Sequence, residues 1–355
     1  MPGPMVNSFV SWTTPLTVAV AAAIISASLI VVLRPFLIRY ALARPNARSS
    51  HREPTPQGGG IAVIAAMTIV VACALMWQRQ DFNDAPTLAG VFATVLFLAI
   101  VGISDDVRPL EAAPRLVLQS AAVAVVIALL PSELRIVPGM PWWLERAGLL
   151  IGGVWFVNLV NFMDGIDWMT VAEVVPITVA LAAFGLAGAL PTSATITSFA
   201  LCGAMLGFAP FNRPVASIFL GDVGSLPIAL TLAWLLALLA GGGHFVAALL
   251  LPLYYLMDAT VTLARRLAKG ERIAQAHRSH FYQRAIDGGF TVRAVIARVL
   301  LVNGILVAGA AATLLVPSRS FHTVVLAGGV IVVATLLRRF ACATPSVQSE
   351  KQIRR

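Results

Sequence analysis

Long apolar segments alternate with short polar connections along most of the chain. About 17–25 apolar residues are enough for a helix to cross the ~30 Å hydrocarbon core of a bilayer. Segments of that kind lie at 16–33, 58–76, 87–103, 115–131, 147–163, 171–190, 195–211, 222–240, 245–264, 294–316 and 322–337. The pattern therefore predicts an all-α, polytopic membrane helical bundle with eleven transmembrane helices, in which residues 1–340 form one transmembrane domain and 341–355 form a short basic tail.

Composition supports this class of protein. Hydrophobic residues make up 59% of the 355 and charged residues 12%, whereas soluble domains have roughly 45–50% and about 25%. The three cysteines are scattered, so the sequence predicts neither a disulfide framework nor a cysteine metal site.

Orientation follows from the positions of Lys and Arg. Most of the 25 basic residues lie in the loops 34–57 and 265–293 and in the C-terminal tail. The positive-inside rule then places the C-terminus in the cytoplasm and, with an odd number of spans, the N-terminus outside. Because topology explains most of the net charge of +9, we predict no nucleic-acid partner.

The end of the fifth apolar segment carries two amides and two carboxylates. Asn158 and Asn161 share a face of a helix, and Gly165 can end that helix and turn Asp164 and Asp167 toward the membrane surface. Polar groups are costly in a bilayer unless they face a cavity, a partner or water. We interpret the segment as a site for a metal or a polyphosphate, with an ordinary Asp-Gly turn as the alternative.

Other polar clusters fall on the same predicted cytoplasmic side. His51 precedes three glycines at 58–60, where a helix begins and backbone N–H groups can approach an anion; the alternative is a flexible loop. Asp105 and Asp106 are adjacent, and two such carboxylates repel unless a cation intervenes or one is protonated. This pair is predicted to bind metal or to act as a general base, with a solvated pair as the alternative.

The later loops add further candidates. Asn212 and Asp222 lie on the same side, and Asp222 begins a span, where an acidic residue is expected to bind a ligand or cap the helix. Asp258, within the ninth span, fits a substrate ligand and an ion pair equally well. The next loop contains possible hydrogen-bond donors for phosphate oxygens, namely His277, Arg278 and His280. The alternative is a basic face that lies on anionic lipid.

Hard oxygen ligands, cationic donors and glycine turns on one membrane face describe a site for Mg²⁺ and a diphosphate. The bilayer can present the second substrate. A lipid phosphate at that face could attack a nucleotide-linked phosphate in line, while cations absorb the developing charge.

Four motifs, in order, resemble those of the polyprenyl-phosphate N-acetylhexosamine-1-phosphate transferases, glycosyltransferase family 4. They are Gly-x-x-Asp-Asp, Asn-Phe-Met-Asp-Gly-Ile-Asp, Phe-Leu-Gly-Asp-Val-Gly-Ser and Ala-His-Arg-Ser-His-Phe-Tyr-Gln-Arg. The similarity extends from about Arg44 to Arg284. The Arg-Ser-Ser-His and His-Arg-Ser-His sequences are closer to the branch that initiates O-antigen than to the peptidoglycan branch.

The resemblance implies transfer of a sugar 1-phosphate from a UDP-sugar (GlcNAc, FucNAc or QuiNAc type) to undecaprenyl phosphate. UMP would be released, with Mg²⁺ as cofactor and Mn²⁺ as a substitute, at the cytoplasmic face of the bacterial inner membrane. A homodimer is compatible with the sequence. By resemblance, the acidic pair handles the lipid phosphate, Asp222 binds the metal, the segment 158–167 belongs to the nucleotide and metal pocket, and the loop at 277–280 binds substrate. Together with the residues themselves, this predicts catalysis by Asp105, Asp106, Asp164 and Asp167, metal binding by Asp222, and substrate binding by His51, Asn158, Asn161, Asn212, His277, Arg278 and His280.

Three departures from the family pattern stand out. Arg44 replaces an acidic residue, Trp168 replaces the glycine that normally follows Asp-Gly-Ile-Asp, and Leu226-Pro227 follow the Gly-Ser pair. Because of Trp168, one alternative is that the protein is an inactive relative, which binds lipid phosphate without catalysis. A transporter or flippase is the remaining alternative, and it predicts charges near mid-span and inverted repeats.

Overall fold

A computed structural model describes residues 13–43, 54–78, 85–271 and 278–343. The chain is almost entirely helical, which confirms the predicted all-α membrane class. The elements are α1 (Thr13–Tyr40), β1 (Leu42–Ala43), β2 (Thr55–Pro56), α2 (Gly59–Gln78), α3 (Ala85–Val107), α4 (Ala112–Ala128), α5 (Trp142–Met163), α6 (Met169–Leu186), α7 (Thr192–Phe208), α8 (Asp222–Leu239), α9 (Phe245–Leu250), α10 (Leu253–Ala268), α11 (Phe281–Asp287), α12 (Val292–Leu315) and α13 (Arg319–Ala341).

Helices occupy all the predicted apolar segments. Within the described ranges, eight helical stretches are long and apolar enough to cross a membrane, and Ala112–Ala128 and Thr192–Phe208 are shorter apolar helices. The number of crossings and the orientation remain predictions.

The predicted boundary between the eighth and ninth segments coincides with a kink. A π-helical turn, Ala240–His244, links α8 to α9 and contains Gly243, whose φ of +93° is not helical, and the apolar stretch on the two sides of the kink runs from Asp222 to Leu250. A second break, which the pattern did not predict, falls at Leu251 and Pro252, because proline has no N–H to donate within a helix. The second part of the predicted ninth span therefore becomes a separate helix, α10.

Helix α8 is the centre of the bundle. It packs against α2, α3 and α5, and its residues Val223–Leu232 are buried. A helix that is apolar on all sides is stable where other helices surround it, and α8 is the most deeply buried of the candidate spans.

Small residues allow the backbones of α1 and α7 to meet. A Cβ on Gly203 would lie 2.0 Å from the carbonyl oxygen of Ala19, and one on Gly207 would lie 2.3 Å from that of Ala23. Because lipid and apolar side chains are equally hydrophobic, close backbone packing of this Gly-xxx-Gly kind is a main source of helix association in membranes.

One buried polar pair links α6 to α12. The side-chain amide of Asn303 donates to the carboxyl of Glu173 at 2.7 Å and to the carbonyl of Ala172 at 2.9 Å. Both side chains are 1% exposed, so each supplies a partner that the bilayer interior cannot.

Candidate functional site

Asp106, near the end of α3, accepts hydrogen bonds from the start of α8. Its two oxygens accept the backbone N–H groups of Asp222 at 2.9 Å and Val223 at 3.1 Å, and the side chain of Gln57 donates to it as well. The first N–H groups of a helix lack partners in their own helix and carry partial positive charge. Asp106 therefore supplies, from another helix, the cap that positions Asp222.

Glycines bring these helix ends into backbone contact. A Cβ on Gly102 would lie 2.4 Å from the backbone of Asp222, and one on Gly60 would lie 2.2 Å from the Cα of Gly224. Gly221, which precedes α8, has φ of +79°, a conformation that costs glycine little. Any larger residue at these contacts would separate α8 from α2 and α3.

The glycines at 58–60 do not form the anion site that their position suggested. The N–H groups of Gly58 and Gly59 donate to the carbonyl of Phe219 at 3.1 and 2.9 Å, and that of Gly60 donates to Leu220 at 2.9 Å. These donors are used by the carbonyl groups of the segment before α8, where Gln57 and Phe219 also form an isolated parallel β-bridge. Their small size serves packing rather than anion binding.

Asp105 is paired with a cation, Arg115, that the sequence pattern did not single out. Its carboxylate accepts from Arg115 at 3.0 Å and from the backbone N–H of Leu110 at 2.6 Å. The same guanidinium nitrogen of Arg115 lies 4.0 Å from Asp222. Arg115 therefore neutralises part of the carboxylate cluster, which answers the repulsion expected for adjacent acids.

The two asparagines of α5 have different partners. Asn161 donates to the carboxylate of Asp222 at 2.8 Å and to the hydroxyl of Ser225 at 2.9 Å. Asn158 donates to Gln119 of α4 at 2.8 Å and to a carbonyl within α5. Of the predicted pair, Asn161 joins the carboxylate cluster directly.

The Asp-Gly-Ile-Asp turn after α5 is held by several side chains. Thr170 donates to Asp164, and the backbone N–H of Ala216 donates to Asp167 at 3.0 Å. Asn212 accepts from the N–H of Trp168 at 2.8 Å and donates to the carbonyl of Ile218 at 3.0 Å. Asp167 and Asn212 thus join the turn to the segment that leads into α8.

The pKa of Asp164 is raised to about 6, first because the carboxyl is buried and then because Asp106 and Asp167 add negative charge nearby. The hydrogen bond from Thr170 acts in the opposite direction. A carboxyl with this pKa exchanges protons close to neutral pH, which suits proton transfer.

Trp168 has a backbone conformation that explains the family's usual glycine. Its φ is +63°, where a Cβ costs roughly 1–2 kcal/mol. The indole N–H donates to the carbonyl of Ala209 at 2.6 Å, and the side chain packs against the core. The tryptophan therefore fastens the turn to the end of α7 and offsets part of its own strain.

A second cluster forms where α10 meets α11. Asp258, fully buried, accepts from the imidazole Nδ1 of His280 at 3.2 Å, so its partner is neither of the arginines at the end of its own helix. Arg278 pairs with Asp287 at 3.1 Å. The predicted residues His51 and His277, together with Arg44, lie outside the described residues.

A cationic cavity of about 250 Å³ lies beside this cluster. Its walls come from α10, α11 and the segments next to them, with these residues: Thr262, Arg265, Arg266, Lys269, Glu271, Ser279 and Arg284. The guanidinium groups of Arg265 and Arg284 also lie 5.3 and 5.9 Å from the ring centre of Phe281. The basic residues of the loop 265–293 were evident in the sequence, but most of them were interpreted only as determinants of topology.

The carboxylate cluster fits a magnesium ion in its chemistry. Among the described residues, no three His, Cys, Asp or Glu side chains form a complete metal site. Mg²⁺ is commonly held by one or two carboxylates together with waters and substrate phosphates. The side chain of Asp222 is 26% exposed whereas that of Asp105 is 6% exposed, so Asp222 is the more accessible oxygen donor of the two.

Apolar helices long enough to cross a bilayer, with a polar cluster at the ends of several of them, define a multi-pass membrane protein. The sequence profile described as "Glycosyl transferase family 4" matches residues 88–240, which include the Asp105–Asp106 pair, the Asp-Gly-Ile-Asp turn and Asp222.

Curated relatives agree with that profile. The decaprenyl-phosphate N-acetylglucosaminephosphotransferase of Mycobacterium leprae is 28% identical over 344 residues, 84% of each chain. The undecaprenyl-phosphate alpha-N-acetylglucosaminyl 1-phosphate transferase of Salmonella typhi is 30% identical over 281 residues, 74% of each chain. The phospho-N-acetylmuramoyl-pentapeptide-transferase of Lactiplantibacillus plantarum is 30% identical over 266 residues, 67% of this chain and 80% of that one. The chain belongs to glycosyl transferase family 4, which confirms the resemblance.

We expect Gly102→Ala to lower both thermal stability and transferase activity, because the new methyl group would meet the backbone of Asp222. Overpacking of this kind typically costs about 1–3 kcal/mol. Gly152→Ala is the matched control, since a Cβ at this position of α5 meets nothing within 4 Å. The melting temperature and initial rate of both purified variants provide the measurement. Equal behaviour of the two variants would contradict the close packing of α3 on α8.

We also expect Asp164 to make stability depend on pH. Its folded pKa of about 6 lies above the ordinary value of 3.8 for an aspartate, so the folded state binds the proton more tightly than the unfolded state does, and this contribution to stability is lost as pH rises from about 4 to 6. At about 1.4 kcal/mol per pKa unit, the loss is on the order of 3 kcal/mol at most. Melting temperatures of the wild type and Asp164→Asn in EDTA should therefore diverge over this range, with the wild type losing stability. Parallel curves would contradict the raised pKa.

Proposed function

We propose that this chain transfers a sugar 1-phosphate from a UDP-N-acetylhexosamine to undecaprenyl phosphate and releases UMP. The observation that carries the proposal is the meeting of Asp105, Asp106 and Asp222 at one set of helix ends, within the region that matches the family. The relatives named for transfer to decaprenyl or undecaprenyl phosphate support the acceptor class.

The site's position suits a lipid acceptor. The cluster lies where α3 and α5 end and α4 and α8 begin, so a phosphate attached to a membrane-embedded chain can reach it without leaving the interface. Arg115, whose side chain is 26% exposed, is the cation that we assign to the lipid phosphate. Its guanidinium can donate two parallel hydrogen bonds to phosphate oxygens.

Asp222 is our candidate for holding Mg²⁺, together with phosphate oxygens of the substrate. Asn161 fixes the orientation of its carboxylate, and Asp106 fixes its backbone. When bound, the cation would reduce the negative charge of the diphosphate that the acceptor must approach. Mn²⁺, with similar ligand preferences, is expected to substitute.

The contacts suggest a division of labour among the acids. Asp105 and Asp106 were the expected general bases, but their oxygens already accept from Arg115, Leu110 and the start of α8. Such contacts favour positioning roles for both. Asp164, with a pKa of about 6, is the acid that we propose to take up a proton from the lipid phosphate. Its contribution is small above neutral pH, since the second pKa of a phosphate is near 6.

The cationic cavity between α10 and α11 is our candidate for the nucleotide-linked diphosphate. Arg265, Arg266 and Arg284 can share its charge, and Lys269 adds a further cation. A phosphate group of an anionic lipid would meet the same donors, so binding of free UDP measured without lipid distinguishes the two sources.

We further propose a donor sugar and a product. We expect GlcNAc, as in the names of several relatives, or a 6-deoxy sugar such as FucNAc or QuiNAc. The product would be the first lipid-linked intermediate of a surface polysaccharide such as O-antigen, made at the cytoplasmic face of the inner membrane, where the basic loops place the site.

The two alternatives make different predictions. A transporter needs charged groups along a path across the bilayer, whereas Asp105, Asp106, Asp164 and Asp222 collect at helix ends. A non-catalytic relative was suggested by Trp168, but its indole binds the carbonyl of Ala209 and secures the turn that carries Asp164.

We expect purified protein, supplied with undecaprenyl phosphate, Mg²⁺ and a panel of UDP-sugars, to release UMP. The acceptor oxygen attacks the phosphorus next to the sugar, and the bond from that phosphorus to the UMP oxygen breaks. Mass spectrometry of both products checks this result and identifies the sugar. Release of UDP would show glycosyl transfer instead, and transport without a product would support the transporter.

We expect Asp222→Asn to remove most Mg²⁺-dependent turnover while the fold is retained, because the change keeps the shape but removes one charge from the cation's ligands. Mg²⁺ affinity, measured by titration with and without UDP-sugar, should fall with the rate. Glu133→Gln is the control, since this exposed acid lies in the connection between α4 and α5 and accepts a hydrogen bond from neighbouring Ser132. Unchanged Mg²⁺ affinity in Asp222→Asn would contradict the assignment.

A further inference from the structure

Asp258 anchors helix α11 to helix α10. It is 0% exposed, and it accepts the backbone N–H groups of Phe281 at 3.1 Å and Tyr282 at 3.3 Å. These are the first two residues of α11, whose N–H groups lack partners within that helix. The imidazole of His280 donates to the same carboxylate through Nδ1 when that nitrogen carries a proton.

The carboxylate is itself held in place by its own helix. The hydroxyl of Tyr254, one turn earlier, lies 3.4 Å from one oxygen, and that of Thr262, one turn later, lies 3.3 Å from the other. A buried carboxylate with this many donors fixes the register of the two helices more firmly than apolar contact would.

Helix α11 also contacts the end of α5, next to the Asp-Gly-Ile-Asp turn. The hydroxyl of Tyr282 donates to the carbonyl of Phe162 at 3.3 Å, two residues before Asp164. Gly165 leaves the space for it, since a Cβ there would lie 2.1 Å from that hydroxyl. Tyr282 therefore joins the helix that Asp258 holds to the turn that carries the proposed proton acceptor.

The same helix carries part of the cationic cavity. Arg284 comes from α11, whereas Arg265 and Arg266 come from the last turn of α10. Their relative position depends on how the two helices are joined, and Asp258 is the buried group that joins them.

We propose that Asp258 is a positioning residue, which holds α11 so that Tyr282 supports the Asp164 turn and Arg284 completes the cationic cavity. This inference rests on the proposed function, but the anchor itself does not. Asp258→Asn should therefore change both the local stability of α11 and the catalytic rate, through geometry rather than through contact with substrate.

The first measurement is amide hydrogen exchange of the full-length protein in detergent. Asparagine offers one acceptor oxygen where aspartate offers two, so Asp258→Asn should speed exchange at Phe281 and Tyr282 on the order of tenfold. Exchange within α5 and α12 should stay the same. Unchanged exchange at 281–282 would overturn the anchor.

Glu145→Gln is the matched control. Glu145 is also a buried carboxylate. It accepts hydrogen bonds from two consecutive backbone N–H groups, those of Ile136 and Val137, and from the side chain of Arg135. It lies at the opposite end of α5 from Asp164. Both of these N–H groups donate to the same oxygen, Oε1, which glutamine retains, so we expect a smaller change in exchange at 136–137 than at 281–282 and no change in rate.

The second measurement is the rate itself. Asp258→Asn should lower kcat on the order of 10- to 100-fold, as displacement of positioned groups by about 1 Å does, with a smaller change in KM. Tyr282→Phe, which removes only the hydroxyl, should act through the same path, so the double variant should be little worse than the stronger single variant. Faster exchange with unchanged kcat, or additive losses, would overturn the positioning role. An inactive wild type would count against the proposed function, and the exchange result would still test the anchor.

Discussion

The candidate site depends on the contact between the start of helix α8 and helices α2 and α3. Asp106 accepts hydrogen bonds from the N–H groups at the start of this helix, which have no partner within the helix, and Gly102 and Gly60 let α3 and α2 approach its backbone. The hydrogen bonds and the close packing depend on each other. The hydrogen bonds form only if the helices approach closely, and close approach buries N–H groups that then need an acceptor. Together they fix the position of Asp222 at the start of α8 relative to α2 and α3.

The bilayer explains why the polar groups collect at helix ends. Helix termini are where backbone groups lack partners, and in a membrane each unsatisfied group must find one inside the protein. Asp106 and Asp258 do this for two different helices, α8 and α11. The same carboxylates bring segments that are distant in sequence into contact. The hydrogen bonds that satisfy these helix ends therefore also assemble the candidate site.

Much of the site was predictable because its residues break an apolar pattern. Asp105, Asp106, Asp164 and Asp222 stand out in such a sequence, and the structure brings Asp105, Asp106 and Asp222 into contact with one another or with a shared partner. The partners were not predictable. Arg115 is one of many basic residues in the sequence, and the order of the helices in space decides which cation meets which carboxylate.

The sequence by itself determined the all-α membrane class, the apolar segments and the family motifs, because these depend on local composition and spacing. Only the tertiary structure decided what each polar residue contacts. It gave the glycines at 58–60 a packing role and paired Asp258 with His280 rather than with Arg265 or Arg266. The physical reason is that a carboxylate or a glycine specifies what it can contact, whereas the packing of helices distant in sequence specifies what it does contact.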